Sequence, residues 1–425
     1  MPYVLFPGDK SIAHRLVLLS LLTNHKIVLK NIPNSKDVNT SLSIVKQLGV
    51  TVARDKDNEA LILQNKTEES QNNKVFRDEI TLDCGNSGTT ARLLCGILCN
   101  LSGKFKLIGD ESLSKRPMER VVRPLAELMG VKIKSTDGHL PIYLESDGKT
   151  KPIEFFNETG SAQVKSAILF AGLANQGKTR VIEKISSRDH TERLLKYLRF
   201  ENSDCKLKYR QSTQTKALIP AQNETLEFNI PGDISSAAYF AVLAAITKQK
   251  ITFKNILLNP LRTGFLRVLE RMGAVVKEEV IDDKWEPVGN LLIEGRDLQS
   301  TDILPDEVPS LIDELPILAI AMAFANGKST LSGAQELRVK ESDRISCLIS
   351  QLQKAGIKCS EKNDGYEITG PNVIISAELD SFNDHRLAMS FAILEYCAKV
   401  KMKIKGSDSV SISFPEFNDF FKYIC

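Results

Sequence analysis

The sequence lacks the features that metal sites, disulfide frameworks and membrane spans require. Its eight cysteines are scattered without a Cys-x-x-Cys pair, and the five histidines add no cluster with zinc-ligand spacing. No apolar run approaches the roughly 18 residues of a membrane-spanning helix. The first residues, MPYVLFPGDKS, also lack the basic flank and apolar core of a secretory signal peptide. These absences favour a protein of the reducing cytoplasm that holds no metal.

An excess of charge of one sign is missing as well. The chain has 56 basic and 53 acidic residues, a net charge of +3, which gives no indication of a nucleic-acid footprint. Its hydrophobic content of 42% and charged content of 26% are typical of an ordinary globular protein. A length of 425 residues is enough for two or more domains with large cores.

One pattern occurs six times: a short loop of small and polar residues leads into an apolar helix rich in Ala and Leu. The loops begin with PGDKS, CGNSG, TGSAQ, PGDIS, IDELP and FNDHR. The glycines of the first four lie 72 to 77 residues apart, an interval too long for a common solenoid repeat. Between the apolar helices, short β-branched runs alternate with amphipathic helices that end near a glycine. The pattern predicts six units of helices and strands, with the apolar helices buried.

The starts of these helices carry cations, hydroxyls and glycines. A helix N-terminus presents free N–H groups and the positive end of the helix dipole to an anion. Lys10, Ser11 and Arg15 stand at the first start, and Gly88 at the second would let a ligand approach the backbone closely. Taken singly, each start is better explained by ordinary capping with exposed cations. Together they predict a site for one or two phosphorylated or carboxylated substrates.

The segment LRVKESDR concentrates charge between two apolar segments and contains Lys340, Glu341 and Arg344. Such a run is often a solvated helix face, but a position between packed elements favours a functional junction. A carboxylate between cations can be tuned for proton transfer. Asp313, at the start of the fifth apolar helix, is a second carboxylate, although an aspartate there is also a good helix cap. Glu341 and Asp313 are therefore a predicted acid/base pair.

Further candidates stand at the remaining loops and helix starts: Arg116, Ser161, Gln163, Lys165, Arg188 and Arg386. Pro117 suits the first position of a helix, so Arg116 is expected where that helix begins. Arg386 directly precedes an apolar helix, where burying it without an anionic partner would be costly.

Eight motifs in order over nearly the whole chain resemble the 5-enolpyruvylshikimate-3-phosphate synthase family of enolpyruvyl transferases. They are PGDKSIAHR, GNSGTTAR, SKRPME, GSAQVKSA, SRDHTERLL, DELPILA, LRVKESDR and NDHRLAM. The resemblance implies an inside-out α/β barrel fold with two similar domains, each of three βαβαββ units. One domain would comprise residues 10–232 and the other residues 1–9 plus 233–425, with the active site in the cleft between them. It also implies a monomer that needs no cofactor.

The implied reaction transfers the carboxyvinyl group of phosphoenolpyruvate to the 5-hydroxyl of shikimate 3-phosphate and releases phosphate, within aromatic amino acid (chorismate) biosynthesis. By motif, Glu341 would protonate the methylene carbon, Asp313 would take the hydroxyl proton, and Lys10 would assist. The residues implied to hold shikimate 3-phosphate are Lys10, Ser11, Arg15, Ser161, Gln163, Arg188, Asp313 and Lys340. Those implied to hold phosphoenolpyruvate are Lys10, Gly88, Arg116, Gln163, Arg344 and Arg386.

The sequence departs from the family pattern near its C-terminus. Many members carry a lysine just before the C-terminal Phe-Pro, where this chain has Ile412 and Ser413, so one phosphoenolpyruvate contact is expected to be missing. Gly88 is the small residue found in members sensitive to glyphosate, which we expect to compete with phosphoenolpyruvate here.

Three other functions compete with this one. The related transferase that acts on UDP-N-acetylglucosamine carries a catalytic cysteine where this chain reads ESLSKRPME. An RNA-end-processing cyclase of similar build would need a catalytic histidine and a nucleotide. A non-catalytic anion-binding protein would not need both Asp313 and Glu341.

Overall fold

A computed structural model describes residues 3–55, 59–65, 75–158, 160–198, 203–207 and 225–424. The chain divides into two compact units. The inserted unit is Lys10–Ile230, and the flanking unit combines Met1–Asp9 with Pro231–Cys425. In the described ranges, no helix is long and apolar enough to cross a membrane.

Short strands alternate with helices along the whole described chain. The strands are β1 Tyr3–Leu5, β2 Lys26–Lys30, β3 Val50–Asp55, β4 Ala60–Asn65, β5 Val75–Asp83, β6 Ser102–Ile108, β7 Lys132–Thr136, β8 His139–Asp147, β9 Glu154–Asn157, β10 Thr179–Glu183, β11 Ser203–Leu207, β12 Thr225–Asn229, β13 Lys250–Leu257, β14 Val275–Asp282, β15 Val288–Glu294, β16 Asp302–Ile303, β17 Gly327–Leu331, β18 Lys358–Lys362, β19 Gly365–Gly370, β20 Glu378–Asp380 and β21 Lys403–Lys405. The helices are α1 Lys10–Leu19, α2 Lys36–Gln47, α3 Gly88–Leu98, α4 Glu111–Ser114, α5 Glu119–Arg123, α6 Ala162–Ala171, α7 His190–Tyr197, α8 Ile234–Thr247, α9 Gly264–Arg271, α10 Leu315–Phe324, α11 Arg344–Lys354, α12 His385–Ala398, α13 Val410–Ser413 and α14 Phe417–Ile424.

In the residues that the structure describes, the inserted unit has sheets with the strand orders β12-β2-β4-β3, β5-β6-β8-β7 and β11-β10-β9. In both four-stranded sheets the first two strands are parallel, and the other two are added antiparallel. The described strands of the third sheet all run parallel. Strand β12 belongs to the first sheet although it comes last in the unit, because it pairs with β2.

The flanking unit follows the same plan, with sheets β1-β13-β15-β14, β16-β17-β19-β18 and β20-β21. Strand β1 lies parallel to β13, and β15 and β14 follow antiparallel. The second sheet repeats this order. Each unit therefore takes the first strand of its first sheet from a distant part of the chain. The predicted α/β fold of repeated βαβαββ units is confirmed.

The apolar helices form the core of each unit, as their sequences predict. Helices α1, α3 and α6 pack together in the inserted unit, and α8, α10 and α12 do so in the flanking unit. The fit is close: a Cβ atom on Gly96 of α3 would lie 2.1 Å from the carbonyl oxygen of Ala167 in α6. Strands such as β10 and β15 alternate buried and partly exposed residues. The sheets thus cover buried helices, which is the inside-out arrangement.

The sixth repeat departs from the βαβαββ plan after β21, where the chain forms α13 and α14 instead of a hairpin. Aromatic side chains explain the change. The rings of Phe414 and Phe420 lie 5.3 Å apart, Phe6 stacks on Phe420 at 4.9 Å, and Phe240 lies 5.6 Å from Phe417. Spacings of three residues place Phe414, Phe417 and Phe420 on one side of a helical turn, whereas a strand would divide them between two faces.

One helix start differs from the prediction, and another lies within the charged segment. Pro117 is not the first helical residue: α5 begins at Glu119, since the Met118 N–H donates to the Gly138 carbonyl at 2.8 Å. In LRVKESDR, α11 begins only at Arg344, where the Asp343 side chain caps the helix. Glu341 therefore lies in the preceding loop rather than on the helix.

Candidate functional site

Arg15 joins three helices of the inserted unit from a buried position. On α1, its Nε donates to Thr191 Oγ1 of α7 at 2.7 Å and its Nη2 to Ser166 Oγ of α6 at 2.8 Å. Its Nη1 donates to the Ser11 carbonyl at 2.7 Å. The side chain is not the exposed cation of the capping alternative, because only 3% of Arg15 is accessible. These bonds hold the guanidinium in one orientation beside the start of α1.

Two guanidiniums flank Gly88, the first residue of α3. A Cβ atom at Gly88 would lie 2.8 Å from Arg92 Nη1 and 3.3 Å from Arg116 Nη1. Arg116 Nη2 donates to Asn86 Oδ1 at 2.8 Å, and Arg92 Nη1 donates to Gln163 Oε1 at 2.9 Å. The missing side chain thus leaves space beside two cations at a helix N-terminus, which suits an anion. Arg92 follows Gly88 by one helical turn, which brings its guanidinium to the same helix start.

The other predicted residues of the inserted unit lie at helix starts. Gln163 Nε2 donates to Thr89 Oγ1 at 3.0 Å, so this side chain links α6 to α3 as well as to Arg92. Ser161 is buried directly before α6. Lys10 opens α1 and pairs with Asp37 at 2.8 Å. The described contacts thus connect the starts of α1, α3 and α6 as the repeat pattern predicts.

Lys165 and Arg188 have different surroundings. Lys165 is 1% exposed and pairs with Glu183 at 2.9 Å and with Glu192 at 2.7 Å. It is therefore an internal cation, and its place at a helix start in the sequence does not make it a substrate contact. Arg188 lies half-buried in the loop between β10 and α7.

Arg344 is the centre of the charged cluster in the flanking unit. Its Nε contacts Asp384 Oδ2 at 2.7 Å, and its Nη2 contacts Glu341 Oε2 at 2.5 Å. Nη1 lies 3.8 Å from Asp313 Oδ1. Burial alone would lower the pKa of Arg344, but Asp384 and Glu341 outweigh it and hold that pKa above its usual range. The solvated-face alternative for LRVKESDR is wrong for this residue.

Arg386 holds Asp313 from another direction. Its Nη2 lies 3.5 Å from Asp313 Oδ2, and its Nη1 donates to the Asp313 carbonyl at 3.0 Å. Burial lowers the pKa of Arg386, but Asp313 and other neighbours raise it to a net value above the usual range. The capping alternative for Asp313 is also wrong, because α10 begins at Leu315 with Glu314 in the cap position.

Lys340 and Ile412 complete the predicted positions of this unit. Lys340 Nζ lies 3.3 Å from Glu336 Oε1, one helical turn earlier in the chain. Ile412 lies within α13 and offers no cation. The structure thus gathers Asp313, Glu341 and Arg386 around Arg344. Carboxylates fixed by permanent cations can exchange protons with a bound substrate, and the cations can hold its anionic groups.

Comparison with known proteins places this geometry in a family. The family model described as EPSP synthase (3-phosphoshikimate 1-carboxyvinyltransferase) matches residues 3–421. The 3-phosphoshikimate 1-carboxyvinyltransferase of Petrotoga mobilis is 38% identical over 427 residues, covering 99% of this chain and 96% of the relative. That of a Sulfurihydrogenibium species is 41% identical over 419 residues, covering 97% and 94%.

Solved structures agree with the sequence relatives. EPSP synthase from Acinetobacter baumannii superposes with a TM-score of 0.80 at 33% identity, covering 100% of this chain and 95% of that one. The enolpyruvyl transferase NikO from Streptomyces tendae has a TM-score of 0.73 at 13% identity, which shows a shared fold. With its full length matched by the family model, this chain belongs to the EPSP synthase (3-phosphoshikimate 1-carboxyvinyltransferase) family.

Proposed function

We propose that this chain transfers the carboxyvinyl group of phosphoenolpyruvate to the 5-hydroxyl of shikimate 3-phosphate and releases phosphate. The observation that carries the proposal is the placement of Glu341 and Asp313 around Arg344, with contacts of 2.5 Å and 3.8 Å. Both carboxylates keep part of their surface open, 22% for Glu341 and 17% for Asp313, so a substrate can reach them. An addition–elimination needs such a proton donor and a base beside cations.

The two substrates bind through the cations and helix starts named above. Phosphoenolpyruvate takes the space beside Gly88 and is held by Arg116, Arg344 and Arg386. Arginine suits this role because its guanidinium grips a carboxylate or a phosphate through two parallel hydrogen bonds. The helix start at Gly88 adds backbone N–H groups.

Shikimate 3-phosphate binds mainly to the inserted unit. Arg15 and Arg188 supply charge for its phosphate, and Ser11, Ser161 and Gln163 supply hydrogen bonds. Lys340 of the flanking unit and Lys10, the first residue of α1, complete its site. Asp313 contacts the 5-hydroxyl that reacts.

The proton transfers balance across two steps. Glu341 gives a proton to the methylene carbon of phosphoenolpyruvate while the 5-hydroxyl oxygen bonds to the adjacent carbon. Asp313 takes the proton of that hydroxyl, and Lys10 assists. The Glu341 carboxylate then takes a proton back from the methyl group of the tetrahedral adduct while the carbon–oxygen bond to phosphate breaks, which restores the carbon–carbon double bond. Asp313 returns the hydroxyl proton to the departing phosphate. The reaction needs no cofactor, and we assign it to a monomer in the cytoplasm, a compartment that the unpaired thiols favour.

The test is phosphate release from phosphoenolpyruvate with shikimate 3-phosphate, with unphosphorylated shikimate, and with neither. Release that requires shikimate 3-phosphate is the expected result. Glu341→Gln should lower kcat by about 10²-fold or more, because general acid catalysis contributes about 10² to 10⁴. Glu367→Gln, at a surface glutamate that pairs with Lys328 and Lys362, is the matched control and should leave kcat unchanged.

Three outcomes contradict the proposal. Phosphate release that needs UDP-N-acetylglucosamine instead would make the chain the related transferase. No release by folded protein would favour a non-catalytic anion-binding function. Full activity in Glu341→Gln would keep the reaction but assign the proton donor elsewhere.

A further inference from the structure

A buried ionic network occupies the third repeat of the inserted unit, and the substrate assignments above leave it unexplained. Lys165 of α6 lies between two carboxylates, Glu183 Oε2 at 2.9 Å and Glu192 Oε1 at 2.7 Å. Its Nζ also donates to the Ser187 carbonyl at 3.1 Å. Lys165 and Glu183 are each only 1% exposed.

Glu183 accepts hydrogen bonds through both of its carboxylate oxygens. Oε1 accepts from Asn157 Nδ2 at 2.7 Å and from Ser187 Oγ at 2.6 Å. Oε2 accepts from the Ser187 N–H at 3.1 Å and from Lys165 at 2.9 Å. With four donors directed at it, the carboxylate is fixed in one position, and it fixes the groups that donate to it.

The network lies where two loops leave the same edge of a sheet. Asn157 ends β9, Glu183 ends β10, and the two residues are register partners in the parallel pair. Because parallel strands end at one edge, the loops that follow begin side by side. One loop leads to Ser161 and the other to Arg188, both assigned to shikimate 3-phosphate.

Each loop is bonded to the network close to its substrate residue. Asn157 Nδ2 donates to the Ser161 carbonyl at 3.2 Å as well as to Glu183. Ser187, which binds Glu183 through both its N–H and its hydroxyl, directly precedes Arg188. A shift of the Glu183 carboxylate would therefore displace both loops together.

Stability alone does not account for such a network. A buried ion pair contributes little more than well-packed apolar side chains of the same volume, because burying the charges costs as much as their attraction returns. What the network does provide is a single geometry for the two loops.

We propose that Glu183 is a positioning residue for shikimate 3-phosphate, acting through Asn157 on Ser161 and through Ser187 on Arg188. The inference rests on the proposed function and adds a group that touches no substrate. The ligand that the two loops bind is a phosphorylated, hydroxylated ring, and its phosphate needs a guanidinium held in one orientation. Phosphoenolpyruvate, assigned to Gly88 and Arg116, does not depend on these loops.

The experiment uses Asn157→Ala and Ser187→Ala in the full chain, because each removes donors to Glu183 and keeps every charge. The KM for shikimate 3-phosphate should rise about tenfold in each variant, since a displaced bidentate or charged contact costs about that much in affinity. The KM for phosphoenolpyruvate and kcat at saturation should stay within about twofold of wild type. Asn175→Ala is the matched control, because Asn175 is a buried asparagine of the same unit that donates to Thr179 Oγ1 at 2.9 Å.

The control separates positioning from general loss of structure. Asn175→Ala should lower the unfolding midpoint without changing either KM. Both KM values unchanged in Asn157→Ala and Ser187→Ala, or both raised equally, would overturn the inference. If Asn157→Ala does not fold, Ser187→Ala decides, because it removes one hydroxyl and retains the backbone bond to Glu183.

Failure of the proposed function gives a different result. Wild-type protein that releases no phosphate in the presence of shikimate 3-phosphate would overturn that function and this inference together. Active wild-type protein with unchanged variants would overturn the inference alone.

Discussion

The candidate-site guanidiniums of the two units differ in the partners described above. In the inserted unit, Arg15 donates to hydroxyl and carbonyl oxygens, Arg92 to an amide and a carbonyl oxygen, and Arg116 to an amide oxygen and a hydroxyl. In the flanking unit, Arg344 and Arg386 contact carboxylates. A neutral acceptor orients a guanidinium without cancelling its charge, whereas a carboxylate compensates it.

Under the proposed function, this difference assigns different tasks to the residues of the two units. Oriented cations with neutral acceptors suit the binding of anions, which is the need of two phosphorylated substrates. Carboxylates held by permanent cations suit proton transfer, since their own environment is fixed before substrate binds. Lys10 is the exception in the inserted unit, because it pairs with Asp37 at 2.8 Å, and it is also the residue of that unit assigned to catalysis.

The largest effect should come from removing a guanidinium that compensates carboxylates. Arg344→Met leaves Asp384 and Glu341 without their buried cation and should lower the free energy of unfolding by about 3–5 kcal/mol. Arg92→Met removes the donors to acceptors such as Gln163 Oε1, which is neutral, and should cost about 1–3 kcal/mol. Urea unfolding of both variants measures the comparison.

Arg123→Met is the exposed control for that comparison. Arg123 forms a surface pair with Glu127 at 3.0 Å, and its loss should leave the urea midpoint unchanged. Equal destabilisation by Arg344→Met and Arg92→Met would contradict a larger contribution from a guanidinium that contacts carboxylates.

A smaller effect should follow from filling the space beside the two cations of the inserted unit. In Gly88→Ala, the new Cβ would lie 2.8 Å from Arg92 Nη1 and 3.3 Å from Arg116 Nη1, so the guanidiniums must move. The KM for phosphoenolpyruvate should rise about three- to tenfold, with little loss of stability because Ala favours the helix by about 1 kcal/mol. Steady-state kinetics with each substrate varied measures the change.

Gly96→Ala on the same helix is the matched control. There the Cβ would lie 2.1 Å from the Ala167 backbone oxygen, so the substitution should lower stability by about 1–3 kcal/mol through overpacking. Its effect on the KM for phosphoenolpyruvate should be negligible. A Gly88→Ala protein with unchanged kinetics would show that phosphoenolpyruvate does not bind beside Arg92 and Arg116.

The sequence predicts the helices and strands of this fold better than it predicts which of them pair with one another. The apolar helices have almost no polar face, so their burial follows directly from their composition. In α10, for example, the residues from Leu315 to Ala323 are all buried. Strands such as β2 are indicated by β-branched runs between turn residues. The pairing of β1 with β13 cannot be read in this way, because pairing with residues 249 positions later leaves no local pattern.

For the candidate site, too, the sequence indicates the residues but not their partners. Cations at helix starts are visible in the sequence, but Arg15 bonds to Thr191, 176 positions away, and Arg344 to Asp384, 40 positions away. Lys165 has the same sequence context as a substrate cation, yet it lies against Glu183 of the next strand. Chain spacing specifies which residues share a helix face, whereas the partner of a buried charge depends on tertiary packing.

The most direct test of the division between binding and chemistry is calorimetric titration of shikimate 3-phosphate into wild type, Glu341→Gln and Arg15→Met. Glu341→Gln should bind within about threefold of wild type while its turnover is lost, because its carboxylate acts on the reacting carbon. Arg15→Met should weaken binding at least tenfold, because it removes a charged contact to the phosphate. Equal loss of binding in both variants, or turnover that survives Glu341→Gln, would contradict the account.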